Sequence, residues 1–202
     1  MLLKFVSILY PMHSAFVYGD PHFVTLDGYQ YTFNGKGEYV LIETNDRSFT
    51  LQGHMTEVMT AAGMPSSATV LSALVAKQTD SDTIQFEISR LGIDVLVNGE
   101  LVELSVGNEI PAWNAVISRY EELEYGVRFS SGVKIEMKRQ MNYLSAVIVS
   151  LPESYMNRTL GLLGYFNGNE TDDLLPALGL DPLPPDSDFF EIHENFGQLC
   201  KL

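Results

Sequence analysis

Apolar and polar residues alternate along most of this chain, and turn-forming pairs interrupt the alternation at short intervals. Between 133 and 138, Val133, Ile135 and Met137 face one way while Lys134, Glu136 and Lys138 face the other. That period of two is the signature of a half-buried strand with a solvated charged face. The same reading predicts strands over 29–33, 38–43, 49–56, 69–77, 83–89, 94–97, 100–104, 115–120, 123–129 and 143–151, rich in β-branched and aromatic residues. Asn98-Gly99 predicts a two-residue hairpin loop, and Asn34-Gly35-Lys36-Gly37 predicts a second hairpin joining the first two strands. A loop is expected over 61–68, where Gly63 and Pro65 stand among serines. No long stretch carries the 3.6-residue period of a helix. The pattern therefore predicts an all-β, antiparallel sandwich or barrel-like domain, with a short helical turn in 154–160 and an irregular loop over 167–173. After the prolines Pro182, Pro184 and Pro185, the amphipathic run Phe189-Phe190-Glu191-Ile192 and Phe196-Gly197 is expected to dock on the sheet.

Composition narrows the class. A chain of 202 residues, 46% hydrophobic and 19% charged, suits one domain with a sizeable core. Residues 1–16 begin with a short basic start and the apolar run Phe5-Val6-Ser7-Ile8-Leu9-Tyr10. They read as a secretory leader or as the end of an upstream segment, with the domain over 17–199. The formal charge of -14, from 26 acidic against 12 basic residues, repels phosphate backbones and excludes nucleic acid as a partner. No apolar run reaches the roughly 18–20 residues of a membrane span. A single cysteine, Cys200, excludes an internal disulfide and any CxxC metal knuckle, and by itself points to a reducing compartment.

Three places carry candidate chemistry. In Gly19-Asp20-Pro21-His22 the Asp20 carboxyl can attack its own carbonyl carbon, and Pro21 offers a more basic leaving nitrogen than an ordinary amide. His22 is placed to shuttle the proton; an Asp-Pro pair is equally an ordinary turn former. The second place is 167–173, where Asn167, Asn169, Glu170, Asp172 and Asp173 crowd oxygen donors around Gly168. Such a loop suits a hard cation without matching the EF-hand spacing, and it also suits a solvated turn. Third, Asn157 and Asn169 open N-x-[ST] sequons completed by Thr159 and Thr171, which marks both as glycosylation candidates. Catalytic motifs are absent: no G-x-S-x-G elbow, P-loop or H-E-x-x-H occurs. Glu121, Glu122 and Glu124 read as a solvated face, and Trp113 beside Pro111 as core packing.

Two clusters of motifs resemble the von Willebrand factor type D domain. At the front stand Gly19-Asp20-Pro21-His22, Phe23, Thr25, Asp27-Gly28, Tyr31, Phe33 and Gly37-Glu38-Tyr39. At the back stand Asn157-Arg158-Thr159, Gly161-Leu162-Leu163-Gly164, Phe166-Asn167-Gly168, Asp172-Asp173 and Asn195-Phe196-Gly197. The likeness covers about 17–199 and looks like the cysteine-poor branch found in sushi-domain-containing protein 2, mucin-4 and mesh, where Leu163 replaces a cysteine. It implies an extracellular or cell-surface structural and adhesion module, not an enzyme, whose partners are other extracellular or matrix proteins. It further implies self-cleavage between Asp20 and Pro21, with the two pieces staying associated. A calcium site is implied at Asp27, Asn167, the backbone of Asn169, Asp172 and Asp173. Tyr165 departs from the Asn or Asp common in calcium-binding members, and a missing ligand lowers the expected affinity. A lipid-carrier role, as in vitellogenin-like proteins with type D domains, and a β-sandwich hydrolase are the rival readings.

Overall fold

The computed structural model describes residues 12–59, 64–177 and 179–202. Its strands run in chain order as β1 (Met12–Tyr18), β2 (His22–Val24), β3 (Gln30–Thr32), β4 (Gly37–Thr44), β5 (Phe49–Met59), β6 (Pro65–Gln78), β7 (Ile84–Ile88) and β8 (Ile93–Val97). They continue as β9 (Glu100–Val102), β10 (Glu109–Ala112), β11 (Ala115–Glu121), β12 (Glu124–Phe129), β13 (Lys134–Gln140), β14 (Tyr143–Pro152) and β15 (Thr159–Leu160). Two antiparallel sheets result, ordered β10-β11-β12-β13-β14-β1-β2-β3 and β15-β4-β5-β6-β7-β8-β9. Among the described residues each sheet keeps two edge strands, so the all-β expectation resolves to an open sandwich and not a closed barrel.

Alternation explains which residues fill the space between the sheets. Ala15, Val17, Val127, Ile135, Val147 and Val149 come from one sheet and Leu41, Leu51, Leu74, Phe86 and Val95 from the other, all buried in one cluster. Each fully buried Leu, Val or Phe stabilises the fold by about 1.5–3 kcal/mol. Strand β13 shows the pattern in miniature: Ile135 and Met137 are buried, and Lys138 is exposed.

Several local expectations are corrected. Asn34-Gly35-Lys36-Gly37 does not close a hairpin, because β3 and β4 lie in different sheets. The reason is aromatic packing: the Phe33 and Tyr39 rings meet edge-on with centroids 5.1 Å apart, both fully buried. A Cβ on Gly35 would lie 2.5 Å from Phe33 and 2.6 Å from Tyr39, so glycine serves here for close approach. The loop expected over 61–68 is strand from Pro65 onward, paired with β5 at Met59; residues 60–63 lie outside the described residues. The helical turn expected over 154–160 is a 3₁₀ turn at Glu153–Tyr155, ending earlier because β15 follows at Thr159–Leu160. Strand β10 was not expected, and Trp113 at its hairpin is 69% exposed, not core. Its amide is held by Asp82 Oδ2 at 2.7 Å, which keeps it at the hairpin tip. The leader reading of residues 1–16 falls mostly on residues 1–11, outside the described residues; Met12–Tyr18 is strand β1.

The tail docks through helix α1 (Phe189–Asn195), which starts with a capping box between Asp188 and Glu191. Ile192 and Phe196 are buried, Phe196 packs edge-on against Tyr31 at 5.9 Å, and Leu202 N–H donates to the Glu38 carbonyl at 3.0 Å. Cys200 is buried beneath it as a free thiol, which burial pushes up to about 12. Among the described residues, no helix is long and apolar enough to cross a membrane.

Candidate functional site

Strand β2 ends at Val24, and the chain turns at once. The Thr25 hydroxyl accepts the Tyr29 amide at 2.9 Å, and the Gly28 amide reaches the Thr25 carbonyl at 3.2 Å. This side-chain-to-backbone closure places the Asp27 carboxylate at the tip of the turn. Leu26 N–H donates to the Leu163 carbonyl at 3.0 Å, pinning the turn to the back of the chain.

Across that contact lies the oxygen-rich loop. Asp27 Oδ2 accepts three successive backbone amides, from Asn167 at 2.7 Å, Gly168 at 2.8 Å and Asn169 at 3.2 Å. Successive amides converging on one oxygen form an anion-binding nest, and here the anion is supplied by the protein itself. The Asn167 side chain donates to Asp172 Oδ2 at 2.9 Å and accepts from the Asn169 amide at 2.8 Å. Asn169 turns its own side-chain oxygen to Thr171, accepting from the amide at 3.3 Å and the hydroxyl at 2.9 Å.

Asp173 is the most enclosed member, at 1% exposure. Its Oδ2 accepts the Thr25 hydroxyl at 2.6 Å. Burial first, and then the charges of Asp27 and Asp172, raise its carboxyl to about 7, against the opposing bond from Thr25. Gly164 makes room for it: φ is +91°, and a Cβ would lie 2.5 Å from Asp173 Oδ1. No other residue lets the backbone pass this close to the carboxylate in that conformation.

One oxygen on each of the three aspartates, Asp27 Oδ1, Asp172 Oδ1 and Asp173 Oδ1, is buried without a hydrogen-bond partner. Buried acceptors are rarely left so, and three in one place leave the site short of positive charge. Among the described residues the acidic side chains do not close into a ready-made metal-ligating group of three. In Asp27 and Asp173 the partnerless oxygen is the one left over once Oδ2 is held, by three amides and by the Thr25 hydroxyl respectively. The chemistry fits a hard cation that takes oxygen ligands.

The second candidate is the turn joining β1 to β2. Asp20 is exposed and Pro21 buried. His22 Nε2 stands 3.4 Å from Asp20 Oδ1, and its Nδ1 meets the Thr32 hydroxyl at 2.8 Å. Asp20, Pro21 and His22 are thus brought together, apart from the Asp27 cluster. Of the sequons, Asn157 is exposed with φ +59°, and its Thr159 is buried, donating to the Gly164 carbonyl at 3.1 Å. Asn169 is exposed but engaged in its own turn.

Neither threonine carries a role in the sequence alone: Thr25 stands in the front motif, and Thr32 only between Tyr31 and Phe33. Thr25 had a readable signal, a hydroxyl two residues before an Asp-Gly turn. Thr32 had none, since only strand register sets it opposite His22. For the hydrolase reading, the one strongly raised carboxyl among the described residues is Asp173, closed off behind Thr25.

Comparison with known proteins matches a family profile, the von Willebrand factor type D domain, to residues 15–180. Human sushi domain-containing protein 2 is 33% identical over 177 residues, covering 87% of this chain and 21% of that protein. Protein mesh of Bombyx mori is 31% identical, covering 93% of this chain and 13% of its own length. Human mucin-4 is 33% identical, covering 88% of this chain and 3% of its own. The chain therefore spans at most about a fifth of these relatives.

Proposed function

This chain belongs to the von Willebrand factor type D domain family, and from that premise we propose that it is a structural and adhesive module of a larger extracellular protein, stapled by calcium. Its partners are other extracellular modules or matrix proteins, and it performs no turnover chemistry on other molecules. The observation that carries the staple is the trio of buried, partnerless oxygens on Asp27, Asp172 and Asp173. Those three carboxylates would hold the ion, with Asn167 and the Asn169 backbone beside them. A bound calcium ion would supply the positive charge that the cluster lacks.

The residues divide the work. The three amides fix Asp27 before any ion arrives, so the site is partly pre-organised. Asp173 fastens the loop to the start of the turn after β2 through Thr25, and Asp27 fastens it to the tip of that turn. One cluster thereby joins the front of the chain to its back. The test is thermal unfolding with and without calcium. A saturating ion at about a hundredfold excess over Kd adds about 2.7 kcal/mol, a rise in Tm of about 5–10 °C for a chain of this size. Asp27→Ala should abolish the rise; an unchanged wild-type Tm would sink the staple.

The same reading includes scission of the Asp20–Pro21 bond, supported by His22 set against the Asp20 carboxylate. Held at mildly acidic pH, the purified chain should acquire a new N-terminus at Pro21, and Asp20→Ala should not. Persisting intact mass after long incubation counts against it. Asn157 is the preferred glycan acceptor, because Asn169 is committed to the turn beside the proposed ion.

A further inference from the structure

We infer that Thr32 is a positioning residue for scission of the Asp20–Pro21 bond, holding the His22 ring so that a proton on Nε2 faces Asp20. This rests on the self-cleavage reading and adds to it the device that orients the proton donor. The register pairs His22 with Thr32 directly across β2 and β3, and the hydroxyl lies 2.8 Å from Nδ1. On the other side of the ring Nε2 lies 3.4 Å from Asp20 Oδ1. A carboxylate beside Nε2 favours the tautomer with hydrogen on that nitrogen, and Nδ1 must then accept. The Thr32 hydroxyl is the matching donor. When the ring is protonated, the same hydroxyl turns and accepts from Nδ1–H, so the orientation survives the gain of a proton. Among the described residues, the titratable side chains in contact with the ring are Asp20 and Tyr18, the latter with ring centroids 5.3 Å apart.

The flanks of the scissile bond are fixed as well. Gly19 N–H donates to the Ser145 carbonyl on β14 at 3.4 Å, and the Pro21 carbonyl accepts from Phe33 N–H at 3.3 Å. Strand pairing thus holds the peptide on both sides while the Asp20 side chain stays exposed and free to rotate. In the reaction, an Asp20 carboxylate oxygen bonds to the Asp20 carbonyl carbon, closing a five-membered cyclic anhydride. The carbon–nitrogen bond to Pro21 breaks, and the proton from the His22 imidazolium passes to the Pro21 nitrogen as it leaves. Water then opens the anhydride, leaving Asp20 as a C-terminus and Pro21 as an N-terminus.

Full-length chains carrying Thr32→Ser, Thr32→Val, His22→Gln and the pair Thr32→Val with His22→Gln test the assignment. The rate of Pro21 N-terminus formation is followed by mass spectrometry across mildly acidic to neutral pH. Val matches Thr in size at this half-buried position, and equal melting curves confirm an intact fold. Thr32→Val should slow scission about tenfold, a fraction of the roughly 10²–10⁴-fold that a positioned proton donor contributes. Its pH profile should shift, and Thr32→Ser, which keeps the hydroxyl, should restore both rate and profile. In the His22→Gln chain, adding Thr32→Val should change nothing further. Scission in Thr32→Val at the wild-type rate and profile overturns the role of Thr32 while leaving self-cleavage standing. An equal slowing by Thr32→Val with and without His22 also overturns it. Absence of scission in the wild type at every pH overturns the self-cleavage reading and this inference with it.

Discussion

Two aspartates separated by one short strand meet opposite fates. Asp20 sits exposed on the turn between β1 and β2, and its ionic neighbour is the His22 imidazole at 3.4 Å. Asp27, at the turn after β2, has one oxygen held by three backbone amides within 3.2 Å. A carboxylate gripped by several donors is fixed in orientation. One with few fixed partners keeps the rotational freedom to reach its own carbonyl. The difference teaches that fixed donors, not residue type, separate an anchored aspartate from one left free to turn. The donors at Asp27 come from residues at the far end of the chain.

The sharpest way to break the contrast is to push the back loop away from the front turn. Gly164→Ala places a methyl 2.5 Å from Asp173 Oδ1 in a left-handed backbone and should cost about 3 kcal/mol or more by chemical denaturation. Next in size is the direct comparison in calcium-free buffer. Asp27→Ala strips the acceptor from three amides and should cost about 2 kcal/mol, whereas exposed Asp20→Ala should cost under about 0.5 kcal/mol. Equal losses would erase the distinction. The smallest effect is a slope against pH. The Asp173 carboxyl is raised from 3.8 to about 7 in the folded chain, so the folded state binds the extra proton between those values. Its contribution to stability is therefore present at low pH and lost as pH rises toward 7, by about 1.4 kcal/mol per unit at most. Asp173→Asn should flatten that part of the calcium-free stability profile, and calcium should flatten it in the wild type.

Much of the sandwich was legible because period-two alternation, as in Val133 to Lys138, is a local property of the chain. The Asn98-Gly99 hairpin was legible for the same reason, and β8 pairs β9 across it. What failed was non-local. Asn34-Gly35-Lys36-Gly37 has hairpin chemistry, yet the Phe33 and Tyr39 rings carry the chain from one sheet to the other. Trp113 is apolar by composition but held outward by Asp82, a residue from another hairpin. At the site, the motif residues could be named from the sequence. The three amides on Asp27 and the Thr25 bond to Asp173 join segments 140 or more residues apart, and the facing of Thr32 on His22 is set by the register of β2 on β3. No local pattern encodes them.

Strand β1 also sets a clock. Ala15 pairs with Val149 and Phe16 with Ile148, so the first described strand finds its main neighbour only after most of the chain exists. At roughly 5–20 residues per second, a ribosome needs on the order of ten seconds to make that interval. Until then β1, β2 and β3 have only one another as neighbours in their sheet, joined through three residue pairs at each seam, and Ser145 is not there to receive the Gly19 amide. The geometry around the Asp20–Pro21 bond is thereby completed late, and the proposed scission would await a chain that has finished folding around it.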